Sequence, residues 1–280
     1  MEQELSNSPS ADRTFLSSTF PYTHSLAAII CSRSQKQINM PFTFSHPAIV
    51  LPLTKYSGKY FSLTGLIIGS MMPDFEYFIR MKVQSNFSHT ICGLFYFDLP
   101  FGILLAFAFH NLIRDSLFNN LPMLFKCRLE VFKSFHWNGY FKQHYFIVII
   151  SVLFGATTHL FWDSFTHING YFVKMFLVLQ GTFKITGHEI AIYKLLQHLS
   201  TLFGGLFIIW TFIRLQTNVL IEQTINAKYW ETFLLIFVVI FCLRLSFGID
   251  KNYLGQLIVT CVSASLVALT ISPIFSNPKI

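Results

Sequence analysis

Charge is what this sequence has least of. Asp, Glu, Lys and Arg make up 12% of its 280 residues, about half the share of roughly 25% usual in a soluble domain. That shortage excludes an ordinary water-facing surface. Paired cysteines are also missing: Cys31, Cys92, Cys127, Cys242 and Cys261 are odd in number and scattered, so no disulfide framework can be read from them. There is no Gly-rich phosphate loop, no Gly-x-Ser-x-Gly and no Cys-x-x-Cys, and no internal repeat or low-complexity tract. The net charge of +7 is spread through short loops without a basic patch interleaved with aromatics. It therefore argues against nucleic acid and fits attraction to an anionic leaflet.

Apolar residues are plentiful. They amount to 53% of the chain, with 17% aromatic and a mean hydropathy of +0.53. The expected fold is all-α, a polytopic membrane helical bundle with about five full spans. These are Thr90–Ile113, Tyr145–His167, Ile190–Leu215, Thr232–Ile249 and Leu254–Ile274, the last two joined by a tight Asp250–Tyr253 turn. Leu117–Leu129, in the basic loop after the first span, reads as a surface amphipathic helix. Before the first span, the pieces around Ser45–Pro47 and Ser62–Met72 are too short to cross and are interrupted by Pro52, Gly58 and Pro73. They read as a re-entrant or interfacial helical hairpin, with Pro73-Asp74 opening a separate short piece through Met81. Residues 1–39 are Ser-rich and lack a signal-peptide core, so they are expected to be a disordered extension, with Met40 a candidate start. Residues 40–215 then form the membrane domain that carries the site, and 216–280 a C-terminal two-span hairpin.

The most informative stretch is Thr158-His159-Leu160-Phe161-Trp162-Asp163-Ser164-Phe165-Thr166-His167, at the end of the second span. Steps of four place His159, Asp163 and His167 within roughly 80° of one helix face. Ionisable groups at membrane depth are costly and face a cavity or a partner. Counting crossings puts His46, Asp74, His89, the Asp163 end of the second span and Gln197-His198 on one side of the membrane. Imidazole and carboxylate together suit zinc and other first-row divalent ions. His46, Asp74, His89, His159 and Asp163 are the candidate ligands; Asp163, His167 and Glu76 are the candidate catalytic groups. His159 and Asp163, about 6 Å apart along the axis, can share one ion, whereas His167, about 12 Å from His159, points to a second ion or a supporting role. One or two ions of this kind suit in-line displacement at a phosphoester, and the interfacial position suits membrane lipids or a lipid-linked substrate. Two other classes stay open: a proton- or cation-coupled transporter using the same cluster, and a non-catalytic membrane assembly protein. Basic residues divide evenly between the two sides, so orientation is not fixed.

Met40-Pro41-Phe42-Thr43-Phe44-Ser45-His46-Pro47, Gly69-Ser70-Met71-Met72-Pro73-Asp74-Phe75-Glu76, Ser88-His89-Thr90, the His159–His167 stretch and Gln197-His198 occur in an order that resembles the bacterial integral-membrane family catalogued as domain of unknown function 4184. The resemblance covers about residues 40–215 and implies residence in a bacterial inner membrane and a start near Met40. More distantly, the order His, Pro-Asp, Ser-His, His-x-x-x-Asp is similar to membrane-bound metal-dependent hydrolases of the zinc phospholipase C and single-strand nuclease group. That likeness implies a hydrolase with His46, Asp74, His89, His159 and Asp163 as ligands. Glu76 stands where the wider group often has aspartate, and its usual arginine before the Ser-His pair has no counterpart here.

Overall fold

The structure, a computed structural model, describes residues 43–185, 188–217, 225–248 and 253–276. The extension before Thr43, including Met40, and most of the expected Asp250–Tyr253 turn lie outside the described residues. Two 3-10 helices, Thr43–Ile49 and Leu51–Tyr56, open the described chain. Gly58, at φ +83, then turns it back, a conformation open to glycine at little steric cost. Ser62 caps the next helix, α1 (Leu63–Arg80), accepting the Gly65 N–H at 3.3 Å. Together these pieces make the expected N-terminal helical hairpin. One expectation is corrected: α1 runs through Pro73 without a break. An interior proline costs about 3 kcal/mol in an exposed helix, but here nearly every residue from Gly65 to Phe78 is partly or fully buried, and packing holds the helix together.

The first span, α2 (Ile91–Asn120), begins at Thr90, whose hydroxyl accepts the Gly93 N–H, and contains two π-helical turns at Leu94–Asp98 and Phe109–Ile113. It extends seven residues past its expected end. The basic connection holds α3 (Met123–Leu129). The second span, α4 (Trp137–Thr166), starts earlier than expected but is kinked at His144, so the apolar run does begin at Tyr145. After α5 (Tyr171–Met175), a β-hairpin that the sequence did not suggest pairs β1 (Thr182–Ile185) with β2 (His188–Ala191). Then come α6 (Ile192–Ile213), α7 (Ala227–Ser246) and α8 (Tyr253–Ser276). Among the described residues, five helices are long and apolar enough to cross a membrane, namely α2, α4 with its continuation to Met175, α6, α7 and α8. Phe203, Leu206, Ile209, Leu234 and Leu235 are exposed along α6 and α7, as expected of helices whose outer faces meet lipid.

What positions the site is the pairing of α1 with α4. They run parallel: Gly65 lies against Ser151, Gly69 against Val152, and Gly155 against the Leu66 and Ser70 backbone. A Cβ at Gly69 would collide with the Val152 carbonyl, and one at Gly155 with the Leu66 carbonyl, so these two glycines let the backbones touch. The Ser62 N–H donates to Ser151 Oγ at 2.8 Å and fixes the lower end of the pair. At the upper end Met81, in the left-handed region, offers its carbonyl to Arg244 Nε and Nη2 at 3.3 and 3.2 Å and to Gln256 Nε2. Ser263 Oγ donates to the Phe78 carbonyl at 2.7 Å. The C-terminal helices α7 and α8 are thus fastened to the top of α1.

Candidate metal centre

Parallel packing in this register brings the late half of α1 beside the late half of α4, so Asp74 meets His159 and Asp163. His159 Nε2 lies 3.6 Å from Asp74 Oδ1 and 3.3 Å from Asp163 Oδ2. His89, from the loop between α1 and α2, places its Nε2 3.4 Å from Asp74 Oδ1 and 3.5 Å from Asp163 Oδ2. His46, from the first 3-10 helix, stacks on the His159 ring with centroids 3.7 Å apart, its Nε2 3.8 Å from Asp163 Oδ1. The five candidate ligands therefore converge, in two overlapping triads whose donor atoms lie within 4.8 Å of one another: His46, Asp74 and His159, then His89, His159 and Asp163.

None of these contacts has the geometry of a hydrogen bond, and most are longer than a normal one. Neighbouring donors around one ion, with ligand bonds of about 2.0–2.2 Å, sit roughly 3.0–3.5 Å apart. Seven buried donor atoms here have no hydrogen-bond partner among the described residues: His46 Nε2, Asp74 Oδ1, His89 Nε2, His159 Nε2, both oxygens of Asp163 and His167 Nε2. Leaving so many polar atoms unpaired would cost about 1–3 kcal/mol each, more for charged groups. Their outward-facing counterparts, by contrast, are engaged. His159 Nδ1 bonds the Ser70 carbonyl at 2.7 Å, and Thr43 Oγ1 donates to Asp74 Oδ2 at 2.6 Å. His89 Nδ1 meets Ser85 and Ser88 hydroxyls at 3.1 Å each. Ligands held from behind with their inner atoms open are the arrangement a cation needs. The residues present fit a divalent ion.

Ionisation supports the same picture. Burial pushes His46 down to about 3, with His159 adding to the effect, which keeps a lone pair free on its ring. Burial opposes the charge on Asp74, but His159 and His89 beside it hold its carboxyl well below the usual carboxylate range. Burial also lowers His89, yet Asp163 and Asp74 outweigh it and raise it to about 9, the mark of a site that favours positive charge.

The other sequence candidates are placed differently. His167 follows the last residue of α4 with extended backbone, so its ring folds back and Nδ1 reaches 3.5 Å from Asp163 Oδ1. The helical spacing that set it about 12 Å from His159 no longer applies. Glu76 is in neither triad. Its carboxylate accepts the N–H groups of Asn86, Phe87 and Ser88 at 2.9 Å each, the Ser85 hydroxyl at 3.0 Å and Arg80 Nε at 2.7 Å. Burial alone would raise its pKa, but these donors bring it down to about 2. Glu76 thus shapes the loop that presents His89. His198 is exposed, and its neighbour Gln197 is the buried one. Asp98 was not singled out from the sequence. It is fully buried in the first π-helical turn, both oxygens without a partner among the described residues, within electrostatic reach of His89 and His159. An acid inside the apolar run Phe97-Asp98-Leu99 was the available signal.

No curated protein and no solved structure matches the chain. A family model does, across residues 40–274, on through the C-terminal helices and beyond the stretch that carried the motifs. With five helices able to cross a membrane and the five-motif order intact, the chain belongs to the family described as domain of unknown function, DUF4184.

Proposed function

We propose that this protein is a membrane-embedded metal-dependent hydrolase of phosphoesters. Its centre is formed by His46, Asp74, His89, His159 and Asp163 and holds one or two divalent ions, zinc being the best match to a His/Asp donor set. The observation that carries the reading is the convergence of six buried donor atoms from those five residues, which nothing else in the described protein satisfies. A divalent ion bound there supplies Lewis acidity and lowers the pKa of a bound water. Asp163 directs Oδ2 towards His89 and His159 and Oδ1 towards His46 and His167, so it is placed to bridge two donor groups. His167 Nε2, buried and free of hydrogen bonds, is placed to accept or return a proton. The distant likeness to the zinc phospholipase C group points the same way. Arrival of the substrate from the bilayer follows from the position of the site on helices whose outer faces are apolar.

Elemental analysis of the purified protein should find one or two zinc or similar ions per chain. His159→Ala and Asp163→Ala should each lose metal and, with it, hydrolysis of a chromogenic aryl phosphodiester. Variants that keep the full metal content would end the reading.

A further inference from the structure

Beside the metal centre, an open-sided cavity of about 430 Å³ lies between the first 3-10 helix, α4 and α6. Its volume falls within the roughly 300–1,000 Å³ usual for small-molecule sites. We propose that it seats the aliphatic chain of a lipid phosphoester whose head lies at the metal centre, a proposal that rests on the hydrolase reading and names its substrate class. Four observations carry it. Trp162, Phe203 and Phe207, with Ile49 and Pro52, give a largely apolar lining in which His46 is the one ionisable residue. His46 is at the same time stacked on His159, so the cavity and the centre share a wall. Trp162 adjoins Asp163 in sequence, so α4 also contributes to both.

The fourth observation is direction. α4 ends, and α6 begins, on the side where His167 lies, since the described residues between them hold no further helix long enough to cross a membrane. Ser200 is eight residues into α6 and Phe207 fifteen, so the cavity's α6 wall runs from about 12 to about 22 Å beyond the start of that helix. It leads away from the metal-centre end of α4 and towards the bilayer middle. A headgroup at the centre would leave its chain pointing along this wall, where burial of each methylene is favourable. Gly204 matters here as well. A side chain there would press on Ser45 and Ala48, and its absence lets α6 close one edge of the cavity against the 3-10 helix.

The test uses the full chain in nanodiscs and a phosphatidic acid carrying a diazirine on its acyl chain, photolysed and mapped by mass spectrometry. Crosslinks should concentrate at Trp162 and within Ser200–Phe207, and glycerol phosphate, which lacks a chain, should not compete. Ser200→Phe, which fills the cavity from α6, should lower that labelling about tenfold, the loss expected when some two methylenes no longer fit. Ala48→Phe fills it from the opposite wall and should do the same, with unfolding temperature confirming that each variant is folded. Labelling spread evenly over the exposed faces of α6, α7 and α8, or unchanged in folded forms of both variants, overturns the proposal. Metal content, measured on the same samples, reports on the hydrolase reading separately: an ion-free protein with focused crosslinks keeps the chain seat and loses the catalysis.

Discussion

Glu76 and Asp98 are both buried carboxylates, yet their surroundings give them opposite roles. Five donors surround Glu76, so its charge is compensated and holds the His89 loop in shape. Glu76→Gln should weaken that loop by about 1–3 kcal/mol, because an amide cannot accept from all five. Hydrogen exchange of residues 84–88 checks this. The pH dependence has a definite sign: a carboxyl lowered from 4.5 to about 2 stabilises the loop above pH 4.5, and that stabilisation is lost as pH falls through 2. Asp98 has no such donors. Asp98→Asn, close in size and unable to ionise, should leave metal content and unfolding temperature nearly unchanged while lowering phosphodiester turnover about a hundredfold, the low end of what proton transfer contributes. Turnover equal to that of the parent would make Asp98 structural.

At the scale of elements, the closest dependence is that of the metal centre on the α1–α4 contact. Gly155→Ala or Gly69→Ala should force the helices apart at a cost of about 1–3 kcal/mol and draw Ser70 away from His159. The expected readout is a larger proportional loss of metal affinity than of helix content by circular dichroism. This contact also explains what was legible in the sequence. The spans were legible because long apolar runs need no partner to be recognised, and the shared side of His46, Asp74, His89 and Asp163 followed from counting crossings. The unbroken α1 was not, because proline's penalty is local while the burial that outweighs it comes from α4, some 80 residues away. The short reach of His167 to Asp163 was not legible for a related reason: α4 stops one residue before it, which lets its ring curl back. The roles of Glu76 and Asp98 depend on a loop and a π-helical turn that leave no regular pattern of spacing.

For the molecule as a whole, two acids and four histidines are enclosed in one place, and an ion bound only by the folded form raises stability by mass action. Chelation should therefore lower the unfolding temperature of the parent protein and leave a metal-free His159→Ala Asp163→Ala double variant unaffected; equal shifts in both would place the ion elsewhere. The carbonyl of Met81 gives the last two helices a part in this. Arg244 and Gln256 secure the end of α1 from outside, while Gly69 and Gly155 press its flank onto α4. The acids at Asp74 and Asp163 consequently sit on a jaw that cannot slide. His159 sits on the same jaw, and the other two candidate ligands, His46 and His89, ride on a 3-10 helix and a loop outside it. Short polar ties, rather than helix packing, therefore hold those two pieces over the fixed floor: Thr43 to Asp74 for the one, and Glu76 to the backbone of residues 86–88 for the other.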